Sequence, residues 1–154
     1  MKRIFLSLAI SAIATGAAFA EGDVAAGEKT FKKCKACHAI VDPDGNVIVK
    51  GGKVGPDLWG VVGRPAGSVE GFKYGASLVA AGEAGLVWNE EEIVKWLMDP
   101  KAYLRDYLDD GAAKSKMTFK LKKGAEDVAA YLASVSPAME GEGEGEGDAA
   151  APSE

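Results

Sequence analysis

Near the end of the chain, Val128, Tyr131, Leu132 and Val135 fall at i, i+3, i+4 and i+7 ahead of Pro137, which predicts a helix with one buried stripe. Further back, Asn89 precedes Glu90, Glu91 and Glu92, a capping residue and an acidic first turn. The helix they start should run through Ile93, Trp96 and Leu97 until Asp99-Pro100 stops it, and a short helix from Pro100 toward Tyr107 should follow. At the front, Asp23 can cap a helix running toward Lys35, with Gly27 and Phe31 on one face. Between Val41 and Gly75 the pattern collapses into Gly and Pro, so this stretch reads as mostly loop. A long loop inside a compact domain needs something to wrap around. With no convincing strand alternation or repeat, the expected class is all-α with long loops.

The two ends read differently from the middle. Met1-Lys2-Arg3, an apolar run from Ile4 to Ala20 and the closing Ala18-Phe19-Ala20 form a secretory signal peptide expected to be cleaved after Ala20. Ser7, Ser11, Thr15 and Gly16 make that run a poor bilayer-spanning helix. Residues 137–154, with the run Glu140 to Glu146 alternating Glu and Gly, have nothing to bury and are expected to be a disordered acidic tail. That leaves residues 21–136 as one domain.

Charge sharpens this division. The whole chain holds 18 basic and 23 acidic residues. The leader takes two of the bases and the tail six of the acids, so the domain carries 16 against 17. Near neutrality gives no support for nucleic-acid binding.

Cys34-Lys35-Ala36-Cys37-His38 is the attachment signature of a c-type haem. The thiols add across the haem vinyl groups as thioethers, and the adjacent imidazole becomes an axial ligand. The chain has two cysteines and one histidine in all, too few for a closed zinc site. A thioredoxin-like dithiol would need a βαβ setting, and a disulfide across two residues would close too small a loop to stabilise much. A second histidine on the iron is excluded, which leaves Met, Lys, Tyr or water for the sixth position. Met1 falls in the leader and Met139 in the tail. Met98 ends a helix and is explained as core, whereas Met117 lies in the polar stretch Lys114-Ser-Lys-Met-Thr-Phe119, with no packing reason for a thioether. Position therefore favours Met117. Iron held by His38 and Met117 has both axial positions filled, a thioether ligand raises its potential, and electron transfer becomes its natural task.

Across nearly all of residues 21–136 the chain resembles the class I cytochromes c, most closely the long bacterial subgroup of cytochrome c2 and cytochrome c-550. The resemblance rests on Gly27 and Phe31, the haem signature, Gly55-Pro56-Asp57-Leu58, Gly63-Arg64, Gly71-Phe-Lys-Tyr74, Trp88, Asp99-Pro100, Lys116-Met117-Thr-Phe119 and Ala130-Tyr131-Leu132. It implies the cytochrome c fold wrapped around one covalent haem c. It further implies that the Pro56 carbonyl accepts the imidazole N–H of His38, and that Arg64, Tyr74 and Trp88 serve the inner propionate. Gly27 would let the first and last helices cross closely. Two stretches, Asp42 to Lys53 and Asp106 to Ala113, are longer than in the short mitochondrial form. Trp96 stands where many relatives have Tyr near the Met ligand, which puts a hydroxyl bond to the sulfur in doubt.

The function implied is that of a soluble, monomeric periplasmic carrier, not an enzyme and not membrane-anchored. It would take electrons from a bc1-type quinol–cytochrome c oxidoreductase, or from periplasmic dehydrogenases, and give them to a terminal oxidase or a photosynthetic reaction centre. Lys32, Lys33, Lys35, Lys114, Lys116, Lys120, Lys122 and Lys123 flank the haem signature and the Met117 stretch, and a ring of them around a haem edge would steer docking onto acidic partners. The rival readings, a haem enzyme or gas sensor and a domain of a larger complex, lack a catalytic acid–base cluster and a retained anchor.

Overall fold

A computed structural model describes residues 22–136. The leader and tail expected from sequence lie outside them. Among the described residues five helices follow one another as α1 (Val24–Phe31), α2 (Ala76–Glu83), α3 (Glu90–Met98), α4 (Pro100–Tyr107) and α5 (Ala125–Ser134), with a small hairpin, β1 (Ile40–Val41) and β2 (Val47–Val49), between the first two. No helix among the described residues is long and apolar enough to cross a membrane.

The capping residues act as their chemistry dictates. Asp23, Asn89 and Asp99 each accept a hydrogen bond from the backbone N–H three residues on, at 2.9, 2.8 and 3.1 Å. Pro100 occupies the first turn of α4, where its missing N–H costs nothing. α1 is shorter than expected and ends at Phe31. Beyond it the chain tightens into i to i+3 bonds, Cys34 N to Phe31 O at 2.8 Å and Cys37 N to Cys34 O at 3.0 Å. Side chains three apart eclipse in such turns, which sets the two thiols on one side.

α1 and α5 cross at Gly27, where a Cβ would stand 1.9 Å from the Asp127 carbonyl oxygen and 2.8 Å from Tyr131 Cβ. The absent side chain lets the backbones touch. Phe31 and Tyr131 then meet with ring centroids 5.5 Å apart. α3 packs on the same α5 through Ile93 and Leu97. Phe31, Ile40, Leu86, Leu104 and Val128 are the large apolar side chains sealed from solvent, each worth about 1.5–3 kcal/mol of burial. No polar or charged residue among those described is buried.

Three features go beyond or against the expectations. The stretch after Val41 is mostly loop, as read, but opens on a short hairpin in which Ile40 pairs with Val49 and Val41 with Val47 across an irregular antiparallel ladder. Its turn is closed by Asp42, whose carboxylate accepts from the Asn46 backbone and side-chain amides, both at 2.8 Å. The strands are two and three residues long and too short for alternation to register; the Pro43-Asp44-Gly45 turn was the available cue. α2 carries little signal in its sequence, for it has no capping side chain, no charge at either end in the helpful sense and only Ala81 buried. Met98 is not core: it is 54% exposed, since the inward face of α3 is Ile93 and Leu97 and Met98 follows on the outer side.

Candidate cofactor site

The pieces left without partners by this packing converge on one cavity of about 520 Å³. Phe31, Leu58, Ile93, Leu97, Val128 and Leu132 supply apolar wall, and Cys34, Cys37, His38, Arg64, Tyr74, Trp88 and Met117 all reach it. Among the described residues no buried side-chain nitrogen or oxygen is left without a hydrogen-bond partner.

His38 is oriented from behind. Its Nδ1–H donates to the Pro56 carbonyl at 2.8 Å, which leaves Nε2 as the free lone pair on a ring that lines the cavity. Burial pulls the imidazole's pKa down, against the smaller upward pulls of the Pro56 carbonyl and Asp57, so the ring is held neutral. Gly55 makes the close approach possible. A Cβ there would lie 2.2 Å from His38 Cε1 and 2.6 Å from both ring nitrogens.

Cys34 is buried and Cys37 exposed, and they form no disulfide. Burial, with a contribution from Cys37 and a smaller opposing one from Lys33, pushes the Cys34 thiol up to about 11. A thiol kept protonated by burial is a poor nucleophile for exchange chemistry.

Arg64 is held by its own backbone neighbourhood. Nη1–H donates to the Trp59 carbonyl at 2.8 Å and Nη2–H to the Asp57 carbonyl at 2.9 Å. Among the described residues it has no carboxylate partner within ion-pair distance, yet it stays half-buried. Burial pulls its pKa down, opposed by Tyr74 and Asp57. A half-buried cation on a cavity wall calls for an anion there. Ladder bonds, Gly63 N to Trp88 O at 2.6 Å and Trp88 N to Arg64 O at 3.0 Å, bring the Arg64 and Trp88 segments together. Trp88 is 7% exposed, and burial raises the pKa of Tyr74 beside Arg64.

Met117 arrives on the opposite side of the sequence, in a stretch tied down at several points. Ser115 Oγ–H donates to the Met117 carbonyl at 2.9 Å, Lys114 N–H to Ser77 Oγ at 3.0 Å, and Lys116 Nζ to the Lys73 carbonyl at 2.8 Å. Its sulfur accepts the indole N–H of Trp96 at 3.2 Å. The hydroxyl bond that Trp96 cannot offer is thus replaced by an N–H bond. Met98 does not reach the cavity.

All eight lysines singled out from sequence are exposed. Lys33, Lys114 and Lys116 border the cavity, Lys120 is paired with Asp99, and Lys116 is engaged as above. Two site residues escaped the sequence reading. Lys73 also borders the cavity, and its place beside Tyr74 was the cue. Gly55 clears the imidazole, and its place before Pro56 was the cue.

The donor set fits a covalent haem: two thiols on one side, a neutral oriented imidazole, a thioether, a counter-cation and an apolar envelope. That combination defines the class, a c-type cytochrome. No protein-family model matches the chain. It is 63% identical over 118 residues to cytochrome c-551 of Roseobacter denitrificans, covering 77% of this chain and 84% of that protein. It is 53% identical over 135 residues to cytochrome c2 of Rhodobacter capsulatus, covering 88% and 98%. The X-ray structure of ferric cytochrome c-550 from Paracoccus versutus matches with a TM-score of 0.74 at 55% identity, over 76% of this chain and all of that one. The chain belongs to the cytochrome c2/c-550 family, whose members are electron carriers with one covalent haem c and not enzymes.

Proposed function

We propose that the chain is a periplasmic single-electron carrier whose haem is bound through thioethers to Cys34 and Cys37 and ligated by His38 Nε2 and Met117 Sδ. The observation that carries this reading is the convergence of an imidazole locked by Pro56 and a thioether held by Trp96 on one apolar cavity. When bound, the haem supplies the one-electron couple. The protein's part is to hold its surroundings still. Pro56 fixes the imidazole ring and strengthens its donation. Arg64, Tyr74 and Trp88 receive a propionate, and the apolar wall excludes water. With both axial positions taken by side chains on well-tied backbone, there is little to rearrange between oxidation states.

The partners proposed are a bc1-type quinol–cytochrome c oxidoreductase as donor and a terminal oxidase or reaction centre as acceptor, with docking through Lys32, Lys33, Lys35, Lys114, Lys116, Lys120, Lys122 and Lys123. The Lys2-Arg3 start and Ala18-Phe19-Ala20 support export with cleavage after Ala20. The test is electron exchange between the purified protein and membrane complexes. Reduction by the quinol oxidoreductase and oxidation by an oxidase or reaction centre, both at turnover rates, are expected. Failure of both, with carbon monoxide binding readily to the reduced protein, would favour a sensor or enzyme. Met117→Leu should abolish the sulfur-to-iron band at the red end of the oxidised spectrum and Met98→Leu should leave it; the reverse would refute the ligand assignment.

A further inference from the structure

The cavity opens among cations alone. Lys33, Lys73, Lys114 and Lys116 border it and are exposed, Arg64 stands on its wall, and no Asp or Glu lines it. Two of these charges are set side by side. Lys116 Nζ donates to the Lys73 carbonyl at 2.8 Å, and its stem lies along Gly75, where a Cβ would meet Lys116 Cγ at 3.3 Å. The ion pairs among the described residues engage Lys95 and Lys120 and none of these four lysines. Like charges gathered at one rim raise the potential there and draw in an anion.

The chain carries an anion of its own. Residues 137–154 hold Glu140, Glu142, Glu144, Glu146, Asp148 and Glu154 and no base. They begin little more than one helical turn past Leu132, which lines the same cavity from α5. Fully extended, these 18 residues would span about 60 Å, against about 35 Å for a domain of this size, so the whole rim is within reach.

We infer that the acidic run Glu140 to Asp148 occupies the lysine rim of its own domain, so that an acidic partner must displace it to dock. The inference rests on the docking through lysines proposed above. A tethered segment meets its target at an effective concentration of about 1 mM, so a contact with a Kd of about 1 mM is already half formed and is still weak enough to displace. Glycines separate the carboxylates and the run has nothing apolar to bury, so it holds by charge and loosens with salt. It therefore slows association most at low ionic strength and flattens the salt dependence that the bare rim would give.

The test compares the full holoprotein with one ending at Ser136, and with one of full length carrying Glu140→Gln, Glu142→Gln, Glu144→Gln, Glu146→Gln and Asp148→Asn. At about 10 mM ionic strength, where the Debye length is about 30 Å, both variants are expected to shift the backbone amide resonances of Lys33, Lys73, Lys114 and Lys116 relative to wild type. The differences should vanish near about 1 M, where it is about 3 Å. Oxidation of the reduced protein by hexacyanoferrate(III), a small anionic probe, should be about three- to tenfold faster in both variants at the lower salt. Lys33→Gln with Lys114→Gln should remove most of that gain, and this cycle separates occupation of the rim from a change in net charge. Unshifted lysine amides, or a gain that survives in the Lys33→Gln, Lys114→Gln background, would overturn the inference while leaving the docking face in place. A salt-independent rate in the protein ending at Ser136, whose rim is bare, would remove the docking face and the inference with it.

Discussion

Removing the haem should cost this chain its fold. The perturbation is Cys34→Ala together with Cys37→Ala, isolated free of haem as judged by the absence of its absorption. Only two sulfur atoms leave the protein, and the loss of Cys34 from the core is worth on the order of 1 kcal/mol. The cavity is what matters. At about 24 cal/mol per Å³, leaving a cavity of about 520 Å³ unfilled costs on the order of 10 kcal/mol, somewhat less where water enters the mouth. A domain this size has about 5–15 kcal/mol of net stability in total. The deficit cannot be confined to one corner, because the cavity takes wall from Phe31 at the end of α1, from Leu58 in the loops, from Ile93 and Leu97 on α3 and from Val128 and Leu132 on α5. Far-ultraviolet circular dichroism with a thermal melt is the assay. Low helix content and no cooperative transition are expected. Native-like helix with a sharp melt would show that the helices close on one another unaided, and the reasoning from cavity volume would be refuted.

Gly27→Ala gains up to about 1 kcal/mol in helix propensity but drives a Cβ to 1.9 Å from the Asp127 carbonyl, which should cost about 1–3 kcal/mol or more. Its melting temperature should fall by several degrees while Gly111→Ala, with open space around the new methyl, stays near wild type; equal melts would deny the close crossing. Charge reversal at Lys33 or Lys35 should slow electron transfer to an acidic partner and flatten its salt dependence. Reversal at Lys95, already paired with Glu91 at 2.8 Å and Glu92 at 3.0 Å, should do much less, and equal slowing in a stopped-flow salt series would remove the case for a docking face. The Asp99 carboxyl is held below its ordinary 3.8 by Lys120 first and by the Ala102 N–H next. A depressed carboxyl stabilises the fold above its ordinary value and loses that contribution as pH falls through the lower folded value. Asp99→Asn keeps an N-cap and removes the charge, so acid denaturation should be shallower below about pH 4, by a small amount for an exposed pair; an unchanged acid limb would count against the pairing.

Much of this was legible in the chain because it is local chemistry. The haem signature, the caps at Asp23, Asn89 and Asp99 and the stripe of α5 depend on neighbours within a few residues, and periodicity records them. α2 and the hairpin were not legible, because nothing in their own composition demands them. α2 lacks a capping side chain and buries only Ala81, and the hairpin strands are too short to show a period. Met98 and Met117 show the same division. The polar stretch around Met117 already favoured it over Met98, but that Met98 is 54% exposed and not core depends on the direction in which α3 turns its face. The sequence alone placed Trp96 where a hydroxyl is usual and could say only what was missing. That its N–H meets a sulfur 21 residues later depends on α3, α4 and the Met117 stretch packing together, a contact between segments that carries no trace in the pattern of either.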